Sequence, residues 1–370
     1  MISAGPESAI VPVDAQDHRL DAYGYDLPEE LIARHPGERG ASRLMLLKRG
    51  KGHAHHMFAE LPELLPAGAL LVANNSRVFP ARLMGRRLSG GNIACLLLTP
   101  LPLIRPVAEG SACKAEVDAL LKPARPARPG FSFTLDGGIA ATVLEKGEFG
   151  HCRLRLEWTG DLQSLLERHG RLPLPPYLRR EAGESDRSRY QTVYASPDKT
   201  GSVAAPTAGL HFTPALCGLL LERGFAWTEI TLHVGYGTFS PVRERDIRRH
   251  ILHGEYVEIS ADAAAAVNQA RREGRPVVAV GTTSARALEG VAALHGGSLE
   301  ARADRISLFI RPGHAFQIVS GLITNFHLPG STLLMLVSAL AGRRAVLEAY
   351  RDAVREKYAF FSYGDAMLIL

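Results

Sequence analysis

The sequence predicts an α/β protein in which a large α/β domain carries a small inserted all-β barrel domain. Between about residues 80 and 158, short apolar runs alternate with glycine, proline and basic turns, and no helical pattern interrupts them. This texture is typical of a small barrel or sandwich. After about residue 160, strand-like and helix-like segments alternate, as in α/β proteins. We therefore expect a large domain of residues 1–76 and 160–370 around a barrel domain of residues 77–159.

The first part of the chain is expected to hold a loose extension, a helix start and a buried strand. Residues 1–21 are interpreted as the extension. Pro28 stands where a helix could begin, since proline costs little in a first helical turn. The apolar run 69–73 ends in Asn-Asn-Ser, which predicts a buried strand with a polar loop at its carboxyl end.

The insert and the second half of the chain show different periodicities. Apolar runs predict the strands of the insert at 93–98, 117–121, 131–135, 139–144 and 152–158. Thr213 followed by Pro214 is a typical helix start. The patterns that follow predict helices at 214–223, 261–273 and 284–294 and strands at 225–234 and 276–280.

Composition favours a cytoplasmic protein and is compatible with an anionic partner. The formal net charge of +5 and the pI of about 9.1 suit RNA, although many basic enzymes bind none. The four cysteines show no Cys-x-x-Cys spacing, so neither a disulfide framework nor a zinc site is expected. No signal peptide is recognised at the start, and the apolar run 332–341 is too short for a membrane span. We expect a buried helix there.

The segment 203–213 combines small residues with a histidine just before a helix start. Thr207 and Gly209 would let a ligand approach the backbone, while free N–H groups at the helix end would favour an anion. His211 would then point towards the bound ligand. The alternative is a hydrogen-bonded core histidine.

The segment 230–239 is an alternating strand that contains His233 and runs into a glycine-rich turn. There, Tyr236, Gly237 and Thr238 could pack closely on a flat ring such as a nucleobase. An ordinary turn at a strand end is the alternative. His233 is a further candidate for acid–base chemistry.

The pattern His-x-x-His-x-Glu at 250–255 makes His253 and Glu255 candidates for acid–base work or substrate hydrogen bonding. A metal is not expected, because helical ligand pairs more often stand four apart and no third cluster completes a site. The histidines at 53, 55 and 56 are interpreted as an accident of a strand edge, with metal binding as the alternative.

Polar residues follow two further apolar runs. Thr282 and Thr283 come between a strand pattern and a helix start, which suits a carboxylate or phosphate, although simple capping is the alternative. Asn325 and His327 are interleaved with apolar residues, and Asp365 has similar surroundings near the C-terminus. Buried polar groups of this kind must be hydrogen-bonded or face a cavity, and we favour the cavity.

Basic residues near the middle of the chain could follow an RNA backbone. Arg179, Arg180 and Arg189 cluster in one region, and Lys122 lies in the insert. Such residues could contact the phosphates of a tRNA stem-loop. A solvated surface is the alternative for each of them.

These segments, in this order, resemble the S-adenosylmethionine:tRNA ribosyltransferase-isomerase family over nearly all of residues 23–370. The matching strings are YDLPEELIARHPGERGASRLMLL at 25–47, NNSRVFPARL at 74–83, LPLPPYLRR at 172–180, DRSRYQTVYA at 186–195, GSVAAPTAGLHFTP at 201–214, TLHVGYGTFSPV at 231–242, HILHGE at 250–255, GTTSARALE at 281–289, ITNFHLPGSTLLMLVSALAG at 323–342 and FFSYGDAMLI at 360–369. The resemblance implies the same fold, a large α/β domain with a small inserted barrel.

The resemblance also implies a reaction. S-adenosylmethionine would serve as co-substrate and donate its ribosyl part to 7-aminomethyl-7-deazaguanine at the wobble position of a tRNA with a GUN anticodon. Adenine and methionine would leave, and the product would be epoxyqueuosine-tRNA. The implied enzyme needs no metal and no membrane, and we favour a monomer.

Several residues, nearly all of them in the matching strings, are expected to form the site. The acid–base candidates are His211, His233, His253 and His327, with Glu255 and Asp365 as partners. The substrate-binding candidates are Tyr177, Thr207, Gly209, Tyr236, Gly237, Thr238, Thr282, Thr283 and Asn325. The RNA-binding candidates are Arg179, Arg180, Arg189 and Lys122.

Departures from the family pattern leave other functions open. They include Ala69 before the first buried strand and Ser307, and most lie in or beside the insert. A divergent paralogue that ribosylates a different acceptor is therefore an alternative, as is an RNA-binding protein without turnover. An ordinary methyltransferase is disfavoured, because the glycine-rich turn after its first strand is missing.

Overall fold

A computed structural model describes residues 11–235, 242–252 and 254–370. Its strands are β1 Arg43–Lys48, β2 Gly52–Met57, β3 Leu70–Asn74, β4 Arg77–Val78, β5 Arg82–Arg87, β6 Asn92–Leu97, β7 Val107–Glu109, β8 Ala112–Lys122, β9 Ser132–Leu135, β10 Ile139–Lys146, β11 His151–Thr159, β12 Thr200–Ser202, β13 Ala226–His233, β14 Glu255–Ile259, β15 Val277–Val280, β16 Arg302–Ile306, β17 Gly321–Asn325 and β18 Ala366–Ile369. Its α-helices are α1 Leu61–Leu64, α2 Leu162–His169, α3 Glu184–Arg189, α4 Pro214–Glu222, α5 Ala261–Arg272, α6 Thr282–Leu294, α7 Thr332–Ala341 and α8 Arg343–Arg355.

A mixed sheet forms the centre of the large domain. Its strand order is β16-β14-β13-β3-β15-β17-β18-β1-β2. The neighbours from β13 to β17 run parallel, as do β18 and β1, and the other pairs are antiparallel. β3, β15, β17 and β18 are buried along their whole length, which is expected of strands covered on both faces.

Alternate side chains of these strands pack into cores on opposite faces of the sheet. Leu70 and Val72 of β3 belong to a cluster with residues of α5, α6, α7 and α8. Leu71 and Ala73 belong to another cluster, which includes Leu216 of α4. The period of two along a strand therefore produces three layers, helices on each side of a sheet.

The inserted domain is a closed antiparallel barrel. β11, β10, β9, β5, β6 and β8 follow one another, and β11 closes the ring by pairing with β8. Along β11, Cys152, Leu154, Leu156 and Trp158 alternate with more exposed residues and fill the interior. The predicted fold, an α/β protein with a small all-β barrel, is confirmed.

Two predictions about the first part of the chain are wrong. No α-helix follows Pro28; a 3₁₀ turn at Glu29–Leu31 is followed by Ile32, which pairs with Phe360 instead. Residues 11–21 are not a loose extension, because Arg343 of α8 holds them through ion pairs with Asp14 and Asp17. The predicted helices and strands after residue 213 are confirmed, with ends that differ by no more than two residues.

The sheet brings one end of several strands to a common edge. β3 ends at Asn74, β15 leads into Gly281 and β17 ends at Asn325. Because β18 is antiparallel to β17 and Asn325 pairs with Ala366, Asp365 lies at the same edge. In open α/β sheets, ligands bind beyond the carboxyl ends of parallel strands. None of the described helices has the length and apolar character needed to cross a membrane.

Candidate active site

A cavity of about 450 Å³ opens at this edge of the sheet. We call it the Thr283 cavity; its walls come from the start of α6, the segment 324–331 at the end of β17 and beyond it, the turn at 207–208, Tyr177 and the pair 361–362. Most of its lining is apolar, with a few convergent polar groups. Small-molecule sites commonly have this size and composition.

The start of α6 is one polar wall of the Thr283 cavity. Gly281 has φ 92°, a left-handed conformation that suits glycine and turns the chain from β15 directly into the helix. Thr282 and Thr283 are 7% and 6% exposed, and Oγ1 of Thr283 has no hydrogen-bond partner among the described residues. A buried polar group that is left without a hydrogen-bond partner costs about 1–3 kcal/mol. The free N–H groups at the start of a helix can bind an anion. The wall is therefore suited to a carboxylate.

A buried hydrogen-bond network connects this cavity to His211. Oγ1 of Thr207 donates to Oδ1 of Asn325 at 2.9 Å, and Nδ2 of Asn325 lies 3.0 Å from Nε2 of His211. Nδ1 of His211 lies 2.8 Å from Oγ of Ser42. Burial, helped by the charge of Arg39, lowers the pKa of His211 to about 4. His211 is therefore neutral near pH 7.

Aromatic rings form another wall of the Thr283 cavity. Tyr177 stacks on Phe361 with ring centroids 4.2 Å apart, and its hydroxyl is hydrogen-bonded to that of Ser362. Phe361 has φ 74°, which is unfavourable for a bulky residue and is held by a bond from Asn325 to its carbonyl oxygen at 3.2 Å. Such strain clusters at ligand sites, and the rings offer a surface for a flat or cationic group.

A second cavity, of about 240 Å³, lies on the other side of His211. We call it the Arg39 cavity; residues 36–42, Arg189, His211 and residues 362–365 line it, and Ser362 also lines the Thr283 cavity. Nη2 of Arg39 donates to the carbonyl of Gln191 at 2.9 Å, whereas Nη1 has no partner among the described residues. This cavity has a more polar lining than the Thr283 cavity and carries a guanidinium group with unused donors, which suits an anionic or hydrogen-bonding ligand.

His327 and Asp365 line different cavities. His327 lines the Thr283 cavity, its Nε2 lies 2.8 Å from Oγ1 of Thr324, and burial lowers its pKa to about 3. Asp365 lines the Arg39 cavity, where it accepts bonds from the backbone N–H groups of Arg43 and Ala359, each at 2.8 Å. Asp365 thus holds two backbone groups in place, and its predicted role as the partner of a histidine stays a prediction.

Three other predicted site residues line neither cavity. Glu255 forms a buried ion pair with Arg286 of α6 at 2.5 Å. His233 stacks on Tyr256 with ring centroids 6.0 Å apart, and burial lowers its pKa to about 4. A side chain on Gly209 would clash with the hydroxyl of Tyr194, so this glycine is required by packing.

Only some of the basic residues that are predicted to bind RNA are exposed at the surface. Arg180 makes a bidentate ion pair with the buried Asp186, at 2.6 and 2.8 Å, which occupies part of its guanidinium group, and its RNA-binding role stays a prediction. Arg179 is exposed but paired with Glu29, Arg189 donates to the carbonyl of Gly37, and Lys122 is exposed on the barrel.

The structure thus assembles a part of the predicted site. Of the predicted residues, the Thr283 cavity is lined by Tyr177, Thr207, Thr282, Thr283, Asn325 and His327, and the Arg39 cavity by Arg189, His211 and Asp365. Tyr236, Gly237, Thr238 and His253 lie outside the described residues. Sequence reasoning missed Arg39, Ser42 and Phe361, which no local pattern distinguishes. Among the described residues, His53, His55 and Asp352 form a group able to hold a metal ion, and none of them lines either cavity.

Comparison with known proteins identifies the family. The model of the family described as "Queuosine biosynthesis protein" matches residues 20–369. The S-adenosylmethionine:tRNA ribosyltransferase-isomerase of Nitratidesulfovibrio vulgaris strain DP4 is 56% identical, over 95% of this chain and 98% of its own length. That of Oleidesulfovibrio alaskensis is 55% identical, over 96% and 94%. The crystal structure of S-adenosylmethionine tRNA ribosyltransferase from Thermotoga maritima is 35% identical, with a TM-score of 0.50, and covers 94% of this chain and 100% of its own. The chain therefore belongs to the queuosine biosynthesis protein family, the enzyme family of the S-adenosylmethionine:tRNA ribosyltransferase-isomerases.

Proposed function

We propose that this protein transfers and isomerises the ribosyl part of S-adenosylmethionine onto 7-aminomethyl-7-deazaguanine at the wobble position of a tRNA with a GUN anticodon. The products are epoxyqueuosine-tRNA, adenine and methionine. The observation that carries the proposal is the arrangement of two cavities on either side of the Ser42–His211–Asn325 network. A reaction between a small donor and a base of a macromolecule needs two such neighbouring sites.

The Thr283 cavity is the proposed donor site. The methionine carboxylate would bind at the start of α6, where Oγ1 of Thr283 offers an unused hydrogen bond. The adenine ring or the sulfonium would pack against Tyr177 and Phe361. The volume of about 450 Å³ suits a ligand of this class.

His211 is the proposed base. A sulfonium acidifies the neighbouring carbon, so removal of a proton there starts the reaction. As neutral imidazole, His211 has one basic nitrogen, and Nε2 is the one directed to Asn325, a residue of the donor cavity. The donor would displace the Asn325 amide from Nε2. Adenine then leaves with the electron pair of its bond to the ribosyl group, and the acceptor amine bonds to the ribosyl group. Attack of a ribosyl oxygen on the carbon that bears sulfur closes the epoxide and expels methionine as a neutral thioether.

The Arg39 cavity is the proposed acceptor side. Arg39 and Arg189 line it, and positive charge favours the RNA backbone beside the modified base. Exposed basic residues such as Arg179 and Lys122 would add contacts further along the stem-loop. A monomer is sufficient for this arrangement, because one chain supplies both cavities.

Incubation of the protein with S-adenosylmethionine and an anticodon stem-loop that carries 7-aminomethyl-7-deazaguanine tests the proposal. We expect free adenine in step with a mass gain on the RNA. A stem-loop with guanine at the same position is the control and should gain no mass. Adenine release with an unmodified RNA would instead support a different acceptor, and RNA binding without adenine release would support a protein without turnover.

A further inference from the structure

A group of metal-ligating side chains lies between the edge strand β2 and helix α8. His53 and His55 stand two residues apart on β2, and side chains at that spacing share one face of a strand. Nε2 of His53 lies 2.8 Å and Nε2 of His55 lies 3.1 Å from the same oxygen, Oδ2 of Asp352. One ligand atom from each residue lies within 4.8 Å of the others.

We propose that His53, His55 and Asp352 bind a divalent transition-metal ion, with Zn²⁺ as the best fit. Two imidazole nitrogens and a carboxylate oxygen are donors that zinc commonly accepts, and water would complete the coordination. With metal–ligand bonds of about 2.0–2.1 Å in a tetrahedron, neighbouring ligand atoms stand about 3.3–3.4 Å apart. The two N···O distances, 2.8 and 3.1 Å, need to lengthen by about half an ångström or less to reach this spacing. The ion would take the place of the protons on Nε2 that now bind Oδ2.

The surroundings orient these ligands. The hydroxyl of the buried Tyr358 lies 2.9 Å from Nδ1 of His55, and such an outer bond fixes the ring and leaves Nε2 for a metal. Arg355 pairs with Oδ1 of Asp352, which leaves Oδ2 for the ion. Its positive charge opposes a cation, so affinity in the micromolar range is expected. The side chain of His55 is 45% exposed, which gives an ion a route from solvent.

A bound ion would link the outermost strand of the sheet to α8. β2 is bonded to β1 on one side and ends the sheet on the other. An ion that binds the folded chain and not the unfolded one stabilises the fold by mass action. Zinc should therefore raise the melting temperature as well as bind.

Calorimetric titration of the untagged, full-length protein with Zn²⁺, together with thermal unfolding, tests this inference. We expect one ion per chain and a higher melting temperature. His53→Gln and His55→Gln should each weaken binding about tenfold or more, and Arg355→Gln should tighten it. His56→Gln is the matched control, because His56 bonds to Glu60 instead, and it should bind zinc like the wild type.

Two results would overturn the inference. One is an absence of zinc binding by the wild-type protein at concentrations well above the micromolar range. The other is binding that persists unchanged in both His53→Gln and His55→Gln, which would place the ion elsewhere, for example on the thiols of Cys113 or Cys217. Circular dichroism of each variant establishes that the comparison is between folded proteins. The site is separate from both cavities, so neither result bears on the proposed transferase activity.

Discussion

The amide of Asn325 donates to Nε2 of His211 at 3.0 Å, and this contact determines the state of the histidine. Since Oδ1 of Asn325 accepts from Thr207, its Nδ2 is the end that faces the ring. Nε2 then accepts, and Nδ1 carries the proton and donates to Ser42. The Asn325 contact selects one tautomer and keeps the basic nitrogen on the side of the Thr283 cavity.

Replacement of His211 by glutamine should abolish most of the activity. Glutamine keeps hydrogen-bonding groups but cannot take a proton, and acid–base catalysis contributes about 10²–10⁴-fold in rate. We expect kcat to fall within that range while the affinity for S-adenosylmethionine changes little. Wild-type turnover in a folded His211→Gln protein would exclude His211 as the base.

Asn325→Asp should convert His211 into a cation. A carboxylate beside Nε2 raises the pKa of the histidine and removes the bond that Nδ2 now donates. Activity should fall at pH 7 and recover in part as the pH rises, because the imidazolium then loses its proton. The pH profile of kcat measures this change. Asn92→Asp, at an exposed position of β6, adds the same charge and should leave the profile unchanged.

Thr283→Val should weaken donor binding without destabilising the fold. Valine has the shape of threonine but lacks Oγ1, which has no partner in the described part of the chain. We expect a several-fold higher KM for S-adenosylmethionine, an unchanged kcat and an unchanged or slightly higher melting temperature. Ser338→Ala removes another such hydroxyl, on α7 and outside the lining of both cavities, and should leave the KM unaltered. Equal KM values in the two variants would argue against a carboxylate at Thr283.

Asp186→Asn should destabilise the protein strongly. Despite burial, bonds from Arg180, Tyr363 and the N–H of Gly183 lower the pKa of Asp186 to about 2. Removal of one partner of a buried ion pair costs about 3–5 kcal/mol. Urea denaturation at pH 7 measures the loss. The exposed pair of Arg171 with Glu181 is the control, and Glu181→Gln should cost about 1 kcal/mol or less.

Elements that depend on neighbouring residues could be predicted from the sequence, and elements that depend on residues far away along the chain could not. Helices α4 and α5 begin at local side-chain caps, Thr213 and Ser260, and α6 follows a glycine turn after a buried strand, so their positions could be predicted. β1 is not predicted: it pairs with the neighbouring β2, but its place within the sheet depends on β18 at the other end of the chain. Such remote pairing leaves little trace in the residues of a strand.

The residues of the candidate site also differ in whether local or remote parts of the chain bring them to the site. Thr283 and Asn325 follow buried strands, and that local order predicts a place at the edge of the sheet. Ser42 becomes a site residue only through its bond to His211, which is 169 positions away. Arg180 shows the opposite case. The sequence indicates a surface cation, but in the fold its guanidinium group forms an ion pair with the buried carboxylate of Asp186.

Stability should decline as the pH falls below 6.5. Burial holds the pKa of His211 and His233 at about 4 and that of His327 at about 3, against an ordinary value of 6.5. Between pH 6.5 and these lower values, the histidines of the unfolded chain are protonated while those of the folded chain are not. A fall in pH through this range therefore favours unfolding. A tenfold weaker affinity for a proton in the folded chain corresponds to about 1.4 kcal/mol per group. The free energy of unfolding, measured by urea denaturation from pH 7.5 to 4.5, should therefore fall, and less steeply in folded His211→Gln. A flat profile in the wild-type protein would mean that these histidines take up protons without unfolding, and that the imidazole of His211 is more accessible than its packing indicates.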